Sequence, residues 1–100
     1  MVHDAYFSVD IETAGPVPGT HALLAIGACL VADPTETFYA ELRPDSPEFE
    51  PDALAVGGFS LEHLAAEGEP PERALPRFAD WVEAATPPAH RPVFVAFNAP

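Results

Sequence analysis

Phe7, Val9 and Ile11 alternate with Ser8, Asp10 and Glu12, the period of a β-strand with one apolar face. The stretch from Ala14 to His21 holds two glycines and two prolines and reads as a loop. The apolar run ALLAIGACLVA, beginning at Ala22, is long enough for a buried central strand, and Gly27 within it suggests a close backbone approach. Asp33 to Glu36 reads as a turn and Thr37 to Leu42 as a third alternating strand, so strands two and three form a hairpin. RPDSPEFEP follows as an extended surface loop, because residues before proline avoid the helical region.

The period then lengthens. Pro51 can open a short helix through Val56 that Gly57 and Gly58 end. Ser60 is a good N-cap for LEHLAAEG, whose apolar face is Leu61, Leu64 and Ala65 and which Gly68 stops. A third helix is expected from about Glu72 to Ala85, with Leu75, Phe78, Ala79 and Val82 as its apolar stripe. Pro76 fits if that helix starts near Arg73, since the first four N–H groups have no partner within the helix. After the loop TPPAHRP, the run Val93 to Phe97 has the continuous apolar character of a strand buried on both faces. The order is three strands, helices and one strand, with no repeat and no domain boundary.

A length of 100 residues allows one domain, and 48% hydrophobic with 20% charged residues is a globular composition. No apolar run is long enough for a transmembrane helix and no signal peptide is evident, so no membrane partner is expected. Cys29 is the one cysteine and reads as a small core residue, which points to a reducing cytoplasm. Sixteen acids against four arginines give a net charge of −12, so the surface repels nucleic acid at long range unless cations or a local basic patch intervene. Trp81 and Phe78 read as core. Arg73 and Arg77, one helical turn apart, could touch a phosphate but fit salt bridges with neighbouring acids better. His3, His21, His63 and His90 show no metal-ligand spacing. There is no glycine-rich phosphate loop and no G-x-S-x-G elbow.

The chemistry worth weighing is Asp10 with Glu12. Residues two apart on a strand share a face, about 7 Å apart along it. Two such carboxylates form either a solvated strand face or a site for hard divalent cations such as Mg²⁺ or Mn²⁺, which can activate water and stabilise the leaving oxygen of a phosphodiester. They could also serve as the acid and base of a glycosidase, but no aromatic sugar platform surrounds them.

Taken together in order and spacing, FSVDIETAG, LLAIGACLV, FYAELRP, ALAVGGF and the closing VFVAFNAP resemble the DEDD (DnaQ-like) superfamily of 3′–5′ exonucleases, over the whole 100 residues. The resemblance implies an α/β, ribonuclease H-like mixed sheet: antiparallel strands one to three, helices, then a parallel fourth strand, cut off before a remaining strand and helices. Residues 1–100 are then expected to be the N-terminal portion of a single exonuclease domain. The implied reaction is hydrolysis of the terminal phosphodiester at the 3′ end of single-stranded DNA or RNA, with two Mg²⁺ or Mn²⁺ ions. Asp10 would bridge both ions and Glu12 would bind the one carrying the attacking water. Ile11, Thr13 and Gly15 would lie along the 3′-terminal nucleotide, Val56 would wall its pocket, and Asn98 would mark the second motif. Many relatives are homodimers. Gly57 stands where the family often has histidine, and Ala25 where it often has glutamate. The second motif runs as far as Asn98 without its aromatic residue and aspartate. The 100-residue piece alone is therefore expected to be inactive and poorly folded, and the rival expectation is a catalytically dead exonuclease-like binding module.

Overall fold

In the computed structural model, which describes residues 1–96, the alternating segment becomes β1 (His3–Thr13). It pairs antiparallel with β2 (Leu23–Leu30), which pairs antiparallel with β3 (Asp33–Glu41). Three helices follow: α1 (Pro51–Gly57), α2 (Leu61–Glu67) and α3 (Pro71–Ala85). The chain then returns as β4 (His90–Ala96), parallel to β1, giving the sheet order β3-β2-β1-β4. This is the mixed sheet that the resemblance implies.

Alternation decides which face is covered. Phe7, Val9, Ile26, Phe38 and Ala40 line the face that α3 packs on, through Ala74, Phe78, Trp81 and Val82. The rings interlock there: Trp81 meets Phe7 edge-on at 5.4 Å and Phe78 meets Phe38 edge-on at 5.2 Å. The indole Nε1–H reaches out of this core to Glu36 Oε1 at 3.2 Å, so Trp81 belongs to the core as expected. A smaller apolar cluster joins Leu24 and Ala14 to Leu64 of α2, with Leu54 of α1 beside it. Both short helices are thereby fastened to the end of the sheet where β1 stops.

The caps follow the sequence. Ser60 accepts a hydrogen bond from the His63 N–H at 3.3 Å, and Gly58 ends α1 at φ 71°. Other expectations are corrected. The turn between β2 and β3 is Val31–Ala32, and the segment from Asp33 is already strand. Pro34 is tolerated because β3 lies at the sheet edge, where an N–H is not needed by a further strand. Helix α3 starts at Pro71, so Pro76 lies inside it and leaves the Glu72 carbonyl without its helical donor; both residues are exposed, and water can serve that carbonyl. Its core-facing stripe is buried Ala74 and Val82 with half-buried Phe78 and Trp81, while Leu75 is exposed. Gly27 marks no tight approach: a Cβ there would meet nothing nearer than Tyr39 Cδ1 at 3.8 Å. Finally, β4 is not buried on both faces. It is the other edge of the described sheet, and Phe94 and Val95 are exposed.

Candidate active site

The β1–β2–β3 register builds the site. Asp10 pairs with Gly27, which pairs with Tyr39; Glu12 pairs with Ala25, which pairs with Glu41. Cross-strand partners share a face, so these two rows lie side by side on the sheet face opposite α3. The middle of each row carries hydrogen or a methyl group, so no large side chain stands between the carboxylates of β1 and the β3 residues. Asp10 is exposed and Glu12 half-buried. Helix α1 closes in beside Glu12: a Cβ built on Gly57 would stand 3.6 Å from Glu12 Oε2.

Tyr39 and Glu41 are parts of this surface that the sequence reading did not single out. The Tyr39 hydroxyl donates to Glu41 Oε2 at 3.1 Å. Burial pushes the phenol above its ordinary pKa, helped by the Glu41 carboxylate and then by the charge of Glu12. The signal that could have revealed them was the hairpin register, which becomes readable once the turn is placed at Val31–Ala32.

The remaining expected residues are distributed unevenly. Ile11 pairs with Ile26, so its side chain lies on the α3 face, where it is nonetheless 46% exposed; only its backbone lies between the two carboxylates. Thr13 Oγ1 donates to the Gly15 carbonyl at 2.8 Å. Gly15 is buried, and the His21 imidazole fills the space where a side chain would stand, a Cβ meeting Cδ2 at 2.6 Å. His21 is held in turn by the Val17 N–H, which donates to Nδ1 at 3.0 Å. Val56 on α1 is 86% exposed, an uncovered apolar side chain on the helix that flanks Glu12. At Gly57, where the family often has histidine, a Cβ would meet the Phe59 ring at 2.6 Å, so any side chain there requires that ring to shift. Asn98 lies outside the described residues. The described part of β4 ends with Ala96 opposite Val9, at the level where the carboxylate pair begins.

Asp10 and Glu12 fit a divalent cation of the Mg²⁺ type. Both are hard oxygen donors on an open face, and such an ion keeps several waters and takes only one or two carboxylates plus substrate phosphate. Among the described residues no group of three or more His, Cys, Asp or Glu could hold an ion unaided.

Comparison with known proteins points the same way. No family profile matches the chain. It is 41% identical over 96 residues to the 3′-5′ DNA exonuclease Cap18 of Escherichia coli, an alignment spanning 96% of this chain and 51% of that protein. The chain thus spans about half the length of the curated relative it matches. Among solved structures, the nuclease domain of 3′hExo, a DEDDh family member bound to rAMP, superposes with a TM-score of 0.73 at 13% identity, over 94% of this chain and 52% of that one. Exonuclease I in complex with the inhibitor BCBP superposes with a TM-score of 0.72 at 18% identity, over 98% of this chain and 22% of that one. At these identities the structural matches establish the fold.

Proposed function

We propose that the chain belongs to the DEDD (DnaQ-like) exonuclease superfamily and that the protein hydrolyses the terminal phosphodiester at the 3′ end of single-stranded nucleic acid, releasing nucleoside 5′-monophosphates. The observation that carries this is the placement of Asp10 and Glu12 together on the face of β1 opposite α3, with only the small residues Gly27 and Ala25 beside them on β2. Similarity to a protein named as a DNA exonuclease favours DNA as the substrate.

Asp10 and Glu12 would hold two divalent ions, Mg²⁺ or Mn²⁺, Asp10 as the shared ligand and Glu12 as the ligand of one. Bound there, such ions supply a water of lowered pKa and a counter-charge for the leaving oxygen. The residues of this chain do the positioning. Helix α1 stands against Glu12 and limits the directions its carboxylate can take. The Thr13–Gly15 bond and the His21 ring hold the chain rigid just past the carboxylates. Val56 offers an apolar surface to a base or sugar at the 3′ terminus, where unstacked bases are held by apolar contact. Cys29, the one cysteine, suits a reducing compartment, and we place the protein in the cytoplasm on that basis.

The test is digestion of 5′-labelled single-stranded DNA and RNA oligonucleotides by the full-length protein, with Mg²⁺, with Mn²⁺ and with EDTA. A ladder shortening from the 3′ end, dependent on metal and abolished by Asp10→Ala, is the expected result. Binding without any cleavage by the wild type would instead identify a catalytically silent module.

A further inference from the structure

Arg43, Arg73 and Arg77 are three of the four cationic side chains in a chain that carries no lysine and a net charge of −12. The fold gathers all three around one cleft of about 570 Å³, beside Tyr39 and Glu41. The fourth, Arg91, lies elsewhere and is bonded to Asp4 at 2.7 Å.

We propose that this cleft is a second nucleic-acid subsite, one that binds a backbone phosphate of the substrate strand upstream of its 3′ end. The assignment rests on the nuclease reading above.

Three observations support it. First, the cleft is rigid. The Arg43 N–H donates to the Glu69 carbonyl at 2.8 Å and the Glu69 N–H to the Glu41 carbonyl at 2.9 Å, locking the end of β3 to the segment between α2 and α3. Gly68 sits in this lock with no room for a Cβ, which would stand 2.5 Å from the Arg43 nitrogen.

Second, the acids around the cleft are largely occupied. Glu69 takes both arms of Arg77, Nε at 3.2 Å and Nη2 at 3.0 Å, and Glu41 takes the Tyr39 hydroxyl. Arg77 also lies over the Phe38 ring, its Cζ 4.7 Å from the centroid, so it is a fixed wall. Glu67 is the remaining acid of the lining. Arg43 and Arg73 are exposed and in no ion pair among the described residues, so their guanidinium groups are available for the bidentate contact that suits a phosphate.

Third, the cleft lies in line with the candidate active site. Glu41 is two strands from Glu12 in the register and Arg43 lies two residues further along, which puts the Arg43 wall of the cleft about 10–15 Å from the carboxylates, with Arg73 facing it from α3 across the sheet edge. An oligonucleotide of a few residues can cover that distance.

The test is fluorescence anisotropy of a 5′-labelled decadeoxynucleotide in EDTA, where cleavage stops, on the full-length wild type and on Arg43→Gln/Arg73→Gln. Both side chains are exposed, so the variant should unfold at the wild-type temperature. Losing the one phosphate contact should lower the slope of log K against log[salt] by about 0.7 on a single strand. Affinity for the decamer at low salt should fall at least fivefold, and affinity for a dinucleotide should not change. Wild-type affinity and salt slope in the variant, with cleavage by the wild type intact, would overturn the cleft and leave the nuclease reading standing. A wild type that neither binds nor shortens any oligonucleotide would overturn both.

Discussion

Replacing Gly68 by alanine sets two effects against each other. The backbone at Gly68 has φ −69° and ψ 149°, a conformation open to any residue. By chain entropy alone, alanine there should stabilise the fold by about 0.4–1 kcal/mol, because the unfolded chain loses freedom. The surroundings say the opposite. The new Cβ would stand 2.5 Å from the Arg43 nitrogen, 2.5 Å from the Leu64 oxygen and 2.6 Å from the Leu42 carbonyl carbon. All three are backbone atoms, so no side-chain rotation relieves the overlap. The end of α2 has to withdraw from β3. Withdrawal strains the two hydrogen bonds between Arg43 and Glu69 and between Glu69 and Glu41, each worth about 1 kcal/mol. Overpacking adds about 1–3 kcal/mol. After the entropic gain is subtracted, the expected loss is about 2–4 kcal/mol. Urea denaturation of the full-length protein followed by circular dichroism reads this as a fall in midpoint with an unchanged slope. Gly58→Ala is the control. Nothing lies within 4 Å of its would-be Cβ, and its φ of 71° should cost only about 1 kcal/mol. An alanine at position 68 as stable as glycine, or more so, would refute the steric account and with it the rigidity of the arginine cleft.

Gly27→Val should leave the fold intact or slightly stabilise it, since valine suits a strand and a Cβ at position 27 meets nothing closer than 3.8 Å; activity should fall at least tenfold, because the branched side chain would stand beside Asp10, and an unchanged rate would show that substrate does not use that ground. Leu64 is 1% exposed, so Leu64→Ala should cost about 2–5 kcal/mol of unfolding free energy in the same urea assay; a loss below that range would mean α2 is not anchored by this contact. The Arg91 side chain, by its hydrogen bond and then its charge, holds the Asp4 carboxyl below the ordinary range. Such a depressed group stabilises the fold above its unfolded pKa of about 4, and that contribution is lost as pH falls through the lower folded value. Arg91→Gln should therefore move the Asp4 midpoint upward in an NMR titration, and an unmoved midpoint would dissolve the pair. Absorbance titration should find the Tyr39 phenol above about pH 10, with Glu41→Gln bringing it down; a midpoint indifferent to that change would remove Glu41 as a cause.

Much of this fold can be read along the chain, because its strands alternate cleanly and its short helices carry explicit caps. The strand–strand–strand–helices–strand order and the pairing of Asp10 with Glu12 on one face need only the two-residue period. What escapes such a reading depends on contacts between distant residues. Pro34 carries a turn signal, yet it sits in an edge strand that can spare its N–H. The stripe of α3 turns toward Ala74 and Trp81, and away from Leu75, because the aromatic rings of Phe7, Phe38 and Phe78 offer Trp81 a place. Val93 to Phe97 has a buried strand's composition, while the described part of β4 is an edge. The expected salt bridge of the Arg73–Arg77 pair appears at Arg77 only, with Glu69. Local spacing could not show that Arg43 would join that pair, because the lock at Gly68 brings together residues far apart in the chain.

The two faces of the sheet divide the physical work. The α3 face carries the aromatic core and holds β1 in place, and every large side chain of that core points away from the carboxylates. The opposite face keeps a strip of small residues, half-buried Gly27 and buried Ala25, between Asp10 and Glu12 on β1 and Tyr39 and Glu41 on β3, and Arg43 stands beyond its end. If this acidic protein acts on a polyanion as proposed, it has to overcome its own field, which repels the substrate until the distance is short. Divalent cations on Asp10 and Glu12 would offset that repulsion at the 3′ terminus, and Arg43, about 10–15 Å away, would offset it further along together with Arg73. If both act, salt should weaken oligonucleotide binding through the arginines, while loss of divalent metal weakens it at the terminus. The two sensitivities should then be separable: Arg43→Gln/Arg73→Gln flattens the salt dependence without altering the metal requirement, and Asp10→Ala removes the metal requirement without flattening the salt dependence. A single variant that abolished both would mean the strip is one site with one determinant.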